Sequence, residues 1–317
     1  MMKSKIAVTI PCYNEAPTIV KVINDFKQEL PDAEIIVIDN NSTDGSDALA
    51  KEAGARVLYE KRQGKGFVVA SIMRKIQADY YVMVDGDDTY PAEYIHQLLQ
   101  PLYDEKADMV VGRRLESFDN RAFRPMHIFG NKMVCGLINL IFKTKLTDPM
   151  SGYRAFTDEI AAELPIVAIG FDIETEMTMQ LLYRRFVIHE VDIHYRERPE
   201  NSPSKLNTFR DGYRVLLKIL KLLVAYKPLT FFGSIALAVF AAALVIGYFP
   251  IREYIEFQYV FSVPKAVLAS SLVIVGMVLL TIGSIVTITN YRLLEISSIL
   301  SVRQDYFKRG NQNRRHG

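Results

Sequence analysis

The chain has 317 residues, 50% of them hydrophobic and 23% charged, with a formal net charge of +2. That much apolar character beside that much charge points to a soluble domain with an apolar excess concentrated elsewhere in the chain. A charge of +2 gives no ground for a nucleic-acid partner, and two cysteines, Cys12 and Cys135, make no disulfide framework, so a reducing compartment is expected.

The opening MMKSKIAVTIP lacks the long apolar run and cleavage site of a signal peptide, and Ile6–Ile10 reads as a buried strand. Pro17–Leu30 has helical periodicity, and Glu34–Ile38 is a second strand ending at Asp39. Helix Asp44–Ala53 is expected next, capped by Ser42 or Asp44 and stopped at Gly54. Arg56–Tyr59 is a third strand, Gly66–Gln77 a helix, Asp79–Val84 a fourth strand ending at Asp85, Pro91–Tyr103 a helix with Pro in its first turn, and Met109–Val111 a fifth strand. Short β-branched strands alternating with helices imply an α/β fold whose mainly parallel sheet is covered on both faces. Ligands of such sheets bind beyond the carboxyl ends of the strands, where Pro11, Asp39, Asp85 and Gly112 fall. Residues 113–200 are less regular, with helical patterns over Ile128–Phe142 and Ile173–Arg185 and a strand-like Val187–Tyr195.

After Ser204 the character changes. Leu206–Tyr226 sets Phe209, Tyr213, Leu216, Leu220 and Leu223 on one helical face with Arg210, Arg214, Lys218 and Lys221 largely off it, the pattern of a basic helix lying in a membrane interface. Uncharged runs from Pro228 to Ile251 and from Ala266 to Tyr291 are each long enough to cross about 30 Å of hydrocarbon as a helix. The tail 292–317 carries Arg292, Arg303, Lys308, Arg309, Arg314 and Arg315, and the positive-inside rule puts it, with the N-terminal domain, on the cytoplasmic side. The expected organisation is a catalytic domain over 1–204, a juxtamembrane helix over 205–227, membrane helices over 228–251 and 266–291, and the basic tail.

Three strand ends carry the chemistry: Pro11-Cys12-Tyr13-Asn14-Glu15, Asp39-Asn40-Asn41-Ser42-Thr43-Asp44-Gly45 and Asp85-Gly86-Asp87-Asp88. A carboxylate at such an end can accept a hydrogen bond from a base or ribose, and an Asp-x-Asp pair can hold a divalent cation against a diphosphate. Taken singly, Asp39 reads equally as a turn or cap residue and the acidic run as a tight turn; three ends converging on one crevice favour a ligand. Gln63-Gly64-Lys65-Gly66 can offer amides to a phosphate at a helix start, but without the Walker spacing it reads first as a plain loop. Cys12 reads as a small pocket residue and not a nucleophile.

From Ile6 to Leu223 the chain resembles family 2 glycosyltransferases of the dolichyl-phosphate mannose synthase, or polyprenyl-phosphate glycosyltransferase, type. The resemblance rests on the three segments above with Gly112-Arg113-Arg114, Asp148-Pro-Met-Ser151-Gly152-Tyr-Arg154 and Ser204-Lys205-Leu206, in this order and spacing. It implies a GT-A fold, a Rossmann-like catalytic domain. It also implies inverting transfer of a sugar from a nucleotide-sugar, UDP-linked before GDP-linked, to a polyprenyl phosphate such as undecaprenyl or dolichyl phosphate, at the cytoplasmic face of the membrane. By the same resemblance Pro11, Tyr13, Glu15, Asp39 and Asp85 line the nucleotide pocket, and Asp85 and Asp87 hold Mg2+ or Mn2+. Asp87 is the main ligand, and Thr89 stands where some members carry a glutamine ligand. Arg114 matches an arginine that reaches the phosphates, Arg124 an acceptor-phosphate arginine by its spacing from Asn131, and Lys205 and Arg210 fall where domain meets membrane. A homo-oligomer, tetrameric as in some relatives, is expected, with Gly276, Gly283 and Ser284 allowing close helix approach. A processive synthase of the same fold would carry a Gln-x-x-Arg-Trp motif, and the chain has no Trp. Two rival readings are an anchored transferase with a soluble or protein acceptor and a membrane scaffold without catalysis; intact Asp85 and Asp87 argue against the scaffold.

Overall fold

The computed structural model describes residues 4–115, 125–164, 173–196, 220, 221 and 223–313. Its first compact unit spans Met1–Gly212 and its second Tyr213–Gly317.

The first unit is built on a seven-stranded sheet. In chain order its elements are β1 (Ile6–Cys12), α1 (Ile19–Glu29), β2 (Glu34–Asp39), α2 (Ser46–Glu52), β3 (Arg56–Tyr59), α3 (Lys65–Lys75), β4 (Tyr80–Met83), a 3-10 turn (Ala92–Tyr94), α4 (Ile95–Tyr103), β5 (Met109–Leu115), α5 (Pro125–Phe142), β6 (Arg154–Thr157), α6 (Asp158–Glu163), α7 (Ile173–Tyr183) and β7 (Ile188–His194). The strand order is β3-β2-β1-β4-β6-β5-β7. Pairing is parallel throughout except at β6, which runs antiparallel to both β4 and β5.

The period-two pattern of the strands divides the core between two faces. Val8, Ile10, Ile35, Val37, Val82 and Val84 pack against Ile19, Val22, Ile23 and Phe26 of α1 and Ile95, Leu98 and Leu99 of α4. Their neighbours Ala7, Ile36, Ile38, Tyr81 and Met83 pack on the other face against Val68, Val69 and Ile72 of α3, Ile160 of α6 and Met177 and Leu181 of α7. Both faces are covered, as the near-continuous apolar runs imply.

Several details differ from the sequence reading. Neither Ser42 nor Asp44 caps α2: Gly45 opens it at φ 85°, and Asp44 Oδ1 accepts from the Ser46 amide at 3.1 Å. Gly54 does stop it, at φ 76°. Pro91 is extended and precedes the 3-10 turn, so α4 begins only at Ile95. β5 continues to Leu115, which puts Gly112 inside the strand rather than at its end; a Cβ there would come within 2.8 Å of Ile193 Cδ1 on β7.

The strand missed altogether is β6, because a buried arginine heads it. Arg154 is 0% exposed. An unpaired buried charge is costly, yet here the guanidinium donates to Ser151 O at 2.8 Å, Pro149 O at 2.6 Å and Thr178 Oγ1 at 2.9 Å. Burial pulls its pKa down to about 10, so it stays charged at neutral pH. Arg154 thereby ties the 148–153 loop to α7. Arg154→Met leaves the Pro149 and Ser151 carbonyls without that donor and is expected to destabilise by about 3 kcal/mol. That corresponds to a drop in melting temperature of roughly 6–12 °C, read by circular dichroism.

The second unit carries α8 (Pro228–Phe257) and α9 (Val263–Asn313). Both are long and apolar enough to cross a membrane, α9 by its part Val263–Leu293, and an 18-residue stretch in each has a mean hydropathy of 2.5. The link is shorter than the sequence suggests. Arg252, Glu253 and Glu256 belong to the last turns of α8, Gln258 ends it at φ 52°, and Glu253 Oε2 accepts the Phe261 and Ser262 amides at 2.9 and 2.8 Å. The tail continues α9 as helix to Asn313. The small residues serve contact between these two helices: a Cβ on Gly276 would strike the Phe240 ring, and one on Gly283 would lie 3.1 Å from Phe232 Cβ. Most of Leu206–Tyr226, the expected interface helix, lies outside the described residues.

Candidate active site

The loops after β1 and β2 are stitched into one surface. Asn14, at φ 56°, donates its amide to Ser42 Oγ at 3.0 Å and accepts the Thr43 amide on its own Oδ1 at 2.8 Å. The Glu15 amide donates to Ser46 Oγ at 2.9 Å and that of Ala16 to Asp44 Oδ2 at 2.9 Å. Asn40 adds the loop after β3, donating to Glu60 O and Arg62 O at 2.8 Å and accepting the Gly64 amide at 2.7 Å. The short polar residues of the second segment are therefore the clamps that hold three strand-end loops in register.

On this surface Pro11 is half-buried and Tyr13 exposed. Cys12 is buried at the end of β1, and burial pushes its thiol up to about 12, which removes it as a nucleophile at neutral pH. Asp39 is 4% exposed; its Oδ2 accepts the Ser42 amide at 3.2 Å, and its buried Oδ1 has no partner among the described residues. A buried carboxylate oxygen without a protein donor is uncommon and is open to a donor from water or from a ligand.

The end of β4 brings four elements together. Asp87 is 2% exposed, and the buried Thr89 hydroxyl donates to its Oδ1 at 2.6 Å, with the Thr89 amide at 3.3 Å. Thr89 thus orients Asp87. Asp88 turns outwards at φ 58° to meet Lys21 at 2.7 Å and Arg196 at 3.3 Å. Asp85 is ion-paired with Lys65, the first residue of α3, and Lys65 Nζ also meets Glu174 Oε1 of α7 at 2.6 Å. Burial alone would lower the Lys65 pKa; the two carboxylates outweigh it and hold the ammonium well above its usual range. Because β6 runs antiparallel, the loop leading into it meets the carboxyl ends of β4 and β5. Gly152 lies there against Asp85, with its amide donating to Tyr90 Oη at 3.0 Å; a Cβ on it would fall 3.0 Å from Asp85 Cγ and closer still to Oδ2.

Arg114 lies within β5, not after it. Its guanidinium grips Asp148 in a bidentate pair, Nε–Oδ2 2.6 Å and Nη2–Oδ1 2.8 Å, and stands 5.5 Å from the centre of the Tyr195 ring. The Asp148 amide is in turn held by Glu190 at 2.7 Å. Arg113 pairs with Asp192.

Of the residues named from the sequence, Asp39, Asp85, Asp87, Pro11, Tyr13, Glu15 and Arg114 therefore sit on the strand-end side of the sheet. Arg124, Lys205 and Arg210 lie outside the described residues. The sequence reading missed Lys65 as an ion-pair partner and Glu174 altogether. Lys65 belongs to the Gln63–Gly66 segment, which reads as a loop, whereas Glu174 is an ordinary acidic residue in a helix's first turn and only the packing of α7 brings it to the site.

A family model described as glycosyl transferase family 2 matches residues 7–164. The chain is 35% identical over 251 residues to glycosyltransferase AglJ of Haloferax volcanii, covering 79% of this chain and 82% of the relative. It is 29% identical over 217 residues to the dolichyl-phosphate hexose transferase of the same organism, covering 68% of this chain and 92% of that protein. Among solved structures, the glucosyl-3-phosphoglycerate synthase of Mycobacterium tuberculosis in complex with Mn2+, UDP and glucosyl-3-phosphoglycerate superposes with a TM-score of 0.57 at 22% identity, over 70% of this chain and 80% of that one. That structural likeness concerns the fold, which is of the GT-A kind. With the length of the match to AglJ and the motif order along the sheet, the chain belongs to glycosyl transferase family 2, and it is a glycosyltransferase.

Proposed function

We propose that this glycosyltransferase moves a sugar from a nucleotide-sugar, UDP-linked before GDP-linked, to a polyprenyl phosphate, with inversion at the anomeric carbon. The observation that carries the donor half is the buried Oδ1 of Asp39, without a partner among the described residues, at the same edge of the sheet as the acidic end of β4 and separated from it by β1. The acceptor half is supported by two helices of membrane-crossing length in the same chain as the catalytic unit, and by the relative named dolichyl-phosphate hexose transferase.

Asp39 Oδ1 supplies the acceptor for a base or ribose donor, with Pro11, Tyr13 and Glu15 lining the same pocket. Asp85 and Asp87 offer hard carboxylate oxygens, the donor chemistry that suits Mg2+ or Mn2+. Two protein carboxylates fit a cation that takes its remaining ligands from substrate phosphate and water. Among the described residues no larger cluster of His, Cys, Asp and Glu competes for it. When bound, such a cation neutralises charge on the departing diphosphate.

The acceptor is a phosphate monoester whose second pKa lies near about 6, so at neutral pH it is already a nucleophile and needs placing rather than deprotonating. Placing it means offsetting the repulsion between two anions. Arg114, steadied by Asp148, together with Arg124, Lys205 and Arg210, supplies that charge. The basic tail and the catalytic unit share the cytoplasmic face. A homo-oligomer, tetrameric for preference, is the assembly.

The experiment supplies radiolabelled nucleotide-sugars to the purified protein with polyprenyl phosphate and asks where label goes. Label extracting into organic solvent, in a product that mass spectrometry identifies as polyprenyl-phosphate-sugar, is the expected result. Label that stays in the aqueous phase on a small acceptor would replace the lipid reading with a soluble-acceptor one.

A further inference from the structure

Lys65 is shared. Its ammonium meets Asp85 at the open end of the site and Glu174 at 2.6 Å on the closed side, with side chains 26% and 8% exposed respectively. The three residues come from three different elements, β4's end, α3 and α7, so the contact is set by tertiary packing and by no local motif. Glu174 faces the lysine, on a helix whose position is fixed by the Arg154–Thr178 bond one turn further on.

We propose that Glu174 is a positioning residue of the donor site, acting through Lys65. By sharing the lysine's charge, it leaves Asp85 the negative charge with which Asp85 serves a divalent cation beside a nucleoside diphosphate. The proposal rests on the donor reading above. Asp85 and Glu174 set two carboxylates against the one ammonium of Lys65. Without the Glu174 charge, Lys65 is committed to Asp85 alone, and a cation must compete with a full ion pair for that carboxylate, because Coulomb interactions in a partly buried site are weakly screened. Glu174 touches neither nucleotide nor cation in this scheme; it sets how strongly Lys65 competes with the cation for Asp85.

The test uses the full chain in detergent and measures UDP and GDP binding by calorimetry, each with and without Mn2+. The ratio of the two dissociation constants for the tighter nucleotide is the metal enhancement. In Glu174→Gln, which keeps the side chain's shape and hydrogen-bonding carbonyl, the enhancement is expected to fall about tenfold while binding of the nucleotide alone changes less than threefold. Glu174→Asp, which keeps the charge, should recover most of it. In a Lys65→Met background, or Lys65→Gln where the first does not yield folded protein, Glu174→Gln should change the enhancement less than twofold. A purely structural role for Glu174 would lower both nucleotide affinities together and shift the melting temperature. An unchanged enhancement in Glu174→Gln overturns the proposal, as does an undiminished effect when Lys65 is absent, which would make Glu174 a direct ligand. A wild-type protein that binds neither nucleotide, with or without Mn2+, instead overturns the donor reading on which the proposal stands.

Discussion

Asp87→Ala is expected to lower turnover by about 10³-fold or more while leaving the chain folded. Asp87 is almost fully buried at the end of β4, and the Thr89 hydroxyl holds its Oδ1 at 2.6 Å. A side chain so oriented presents its carboxylate to the crevice without reorganising, which is where electrostatic stabilisation of a departing diphosphate is most effective. Truncation removes that charge and leaves Thr89 without one acceptor, a structural cost of about 1–2 kcal/mol that the two apolar clusters on either side of the sheet can absorb. Chelation by EDTA should abolish transfer to a similar degree and Mn2+ or Mg2+ should restore it. Thr89→Val, which frees the carboxylate to rotate but keeps its charge, should lose activity by only about tenfold, the equivalent of one modest hydrogen bond. Initial rates of label transfer, with circular dichroism on the same samples, give all these comparisons. A folded Asp87→Ala protein with full activity would remove the cation from the scheme and leave the acidic end of β4 as a turn.

Much of this arrangement is legible in the sequence because its signals are local. The first five strands follow from short β-branched runs, and the ends at Asp39 and Asp85 follow from where those runs stop. The two membrane-length helices follow from composition alone. What is not legible depends on packing. β6 is four residues long and begins with Arg154, a charged residue of the kind almost never fully buried unless paired. The carbonyls of the 148–153 loop and the Thr178 hydroxyl make its burial tolerable. Since β6 alone reverses direction, the Asp148–Arg154 motif can be recognised from the sequence but not placed against β4. The same limit hides Glu174, 109 positions beyond Lys65 in the chain, and it hides the partner of Arg114, whose guanidinium is matched to Asp148 before any phosphate arrives. Spacing along one helix does not say which helix faces it, so the small residues of α9 suggest a neighbouring subunit from sequence alone, whereas Gly276 and Gly283 face α8.

Gly152→Ala is the second large effect, and it separates geometry from charge. The substitution adds one methyl group and changes no ionisable residue. Its Cβ would stand 3.0 Å from Asp85 Cγ, closer than side-chain carbons approach a carboxylate, so one of the two must move. The backbone of residue 152 has little freedom to retreat, because its amide donates to the buried Tyr90 hydroxyl at 3.0 Å and Arg154 holds the carbonyls of Pro149 and Ser151 on the same loop. Asp85 is the part able to yield, and yielding moves the carboxylate that Lys65 holds. A displacement of about 1 Å in a positioning group costs on the order of 10²-fold in rate. We therefore expect kcat/KM for the nucleotide-sugar to fall about 100-fold, with the KM for polyprenyl phosphate nearly unchanged and the melting temperature lowered by no more than a few degrees. Separate titration of each substrate in nanodiscs reads the split. Loss confined to the lipid substrate would assign the 148–153 loop to the acceptor side of the crevice, and wild-type kinetics would mean that Asp85 can shift without consequence and is not part of the donor machinery.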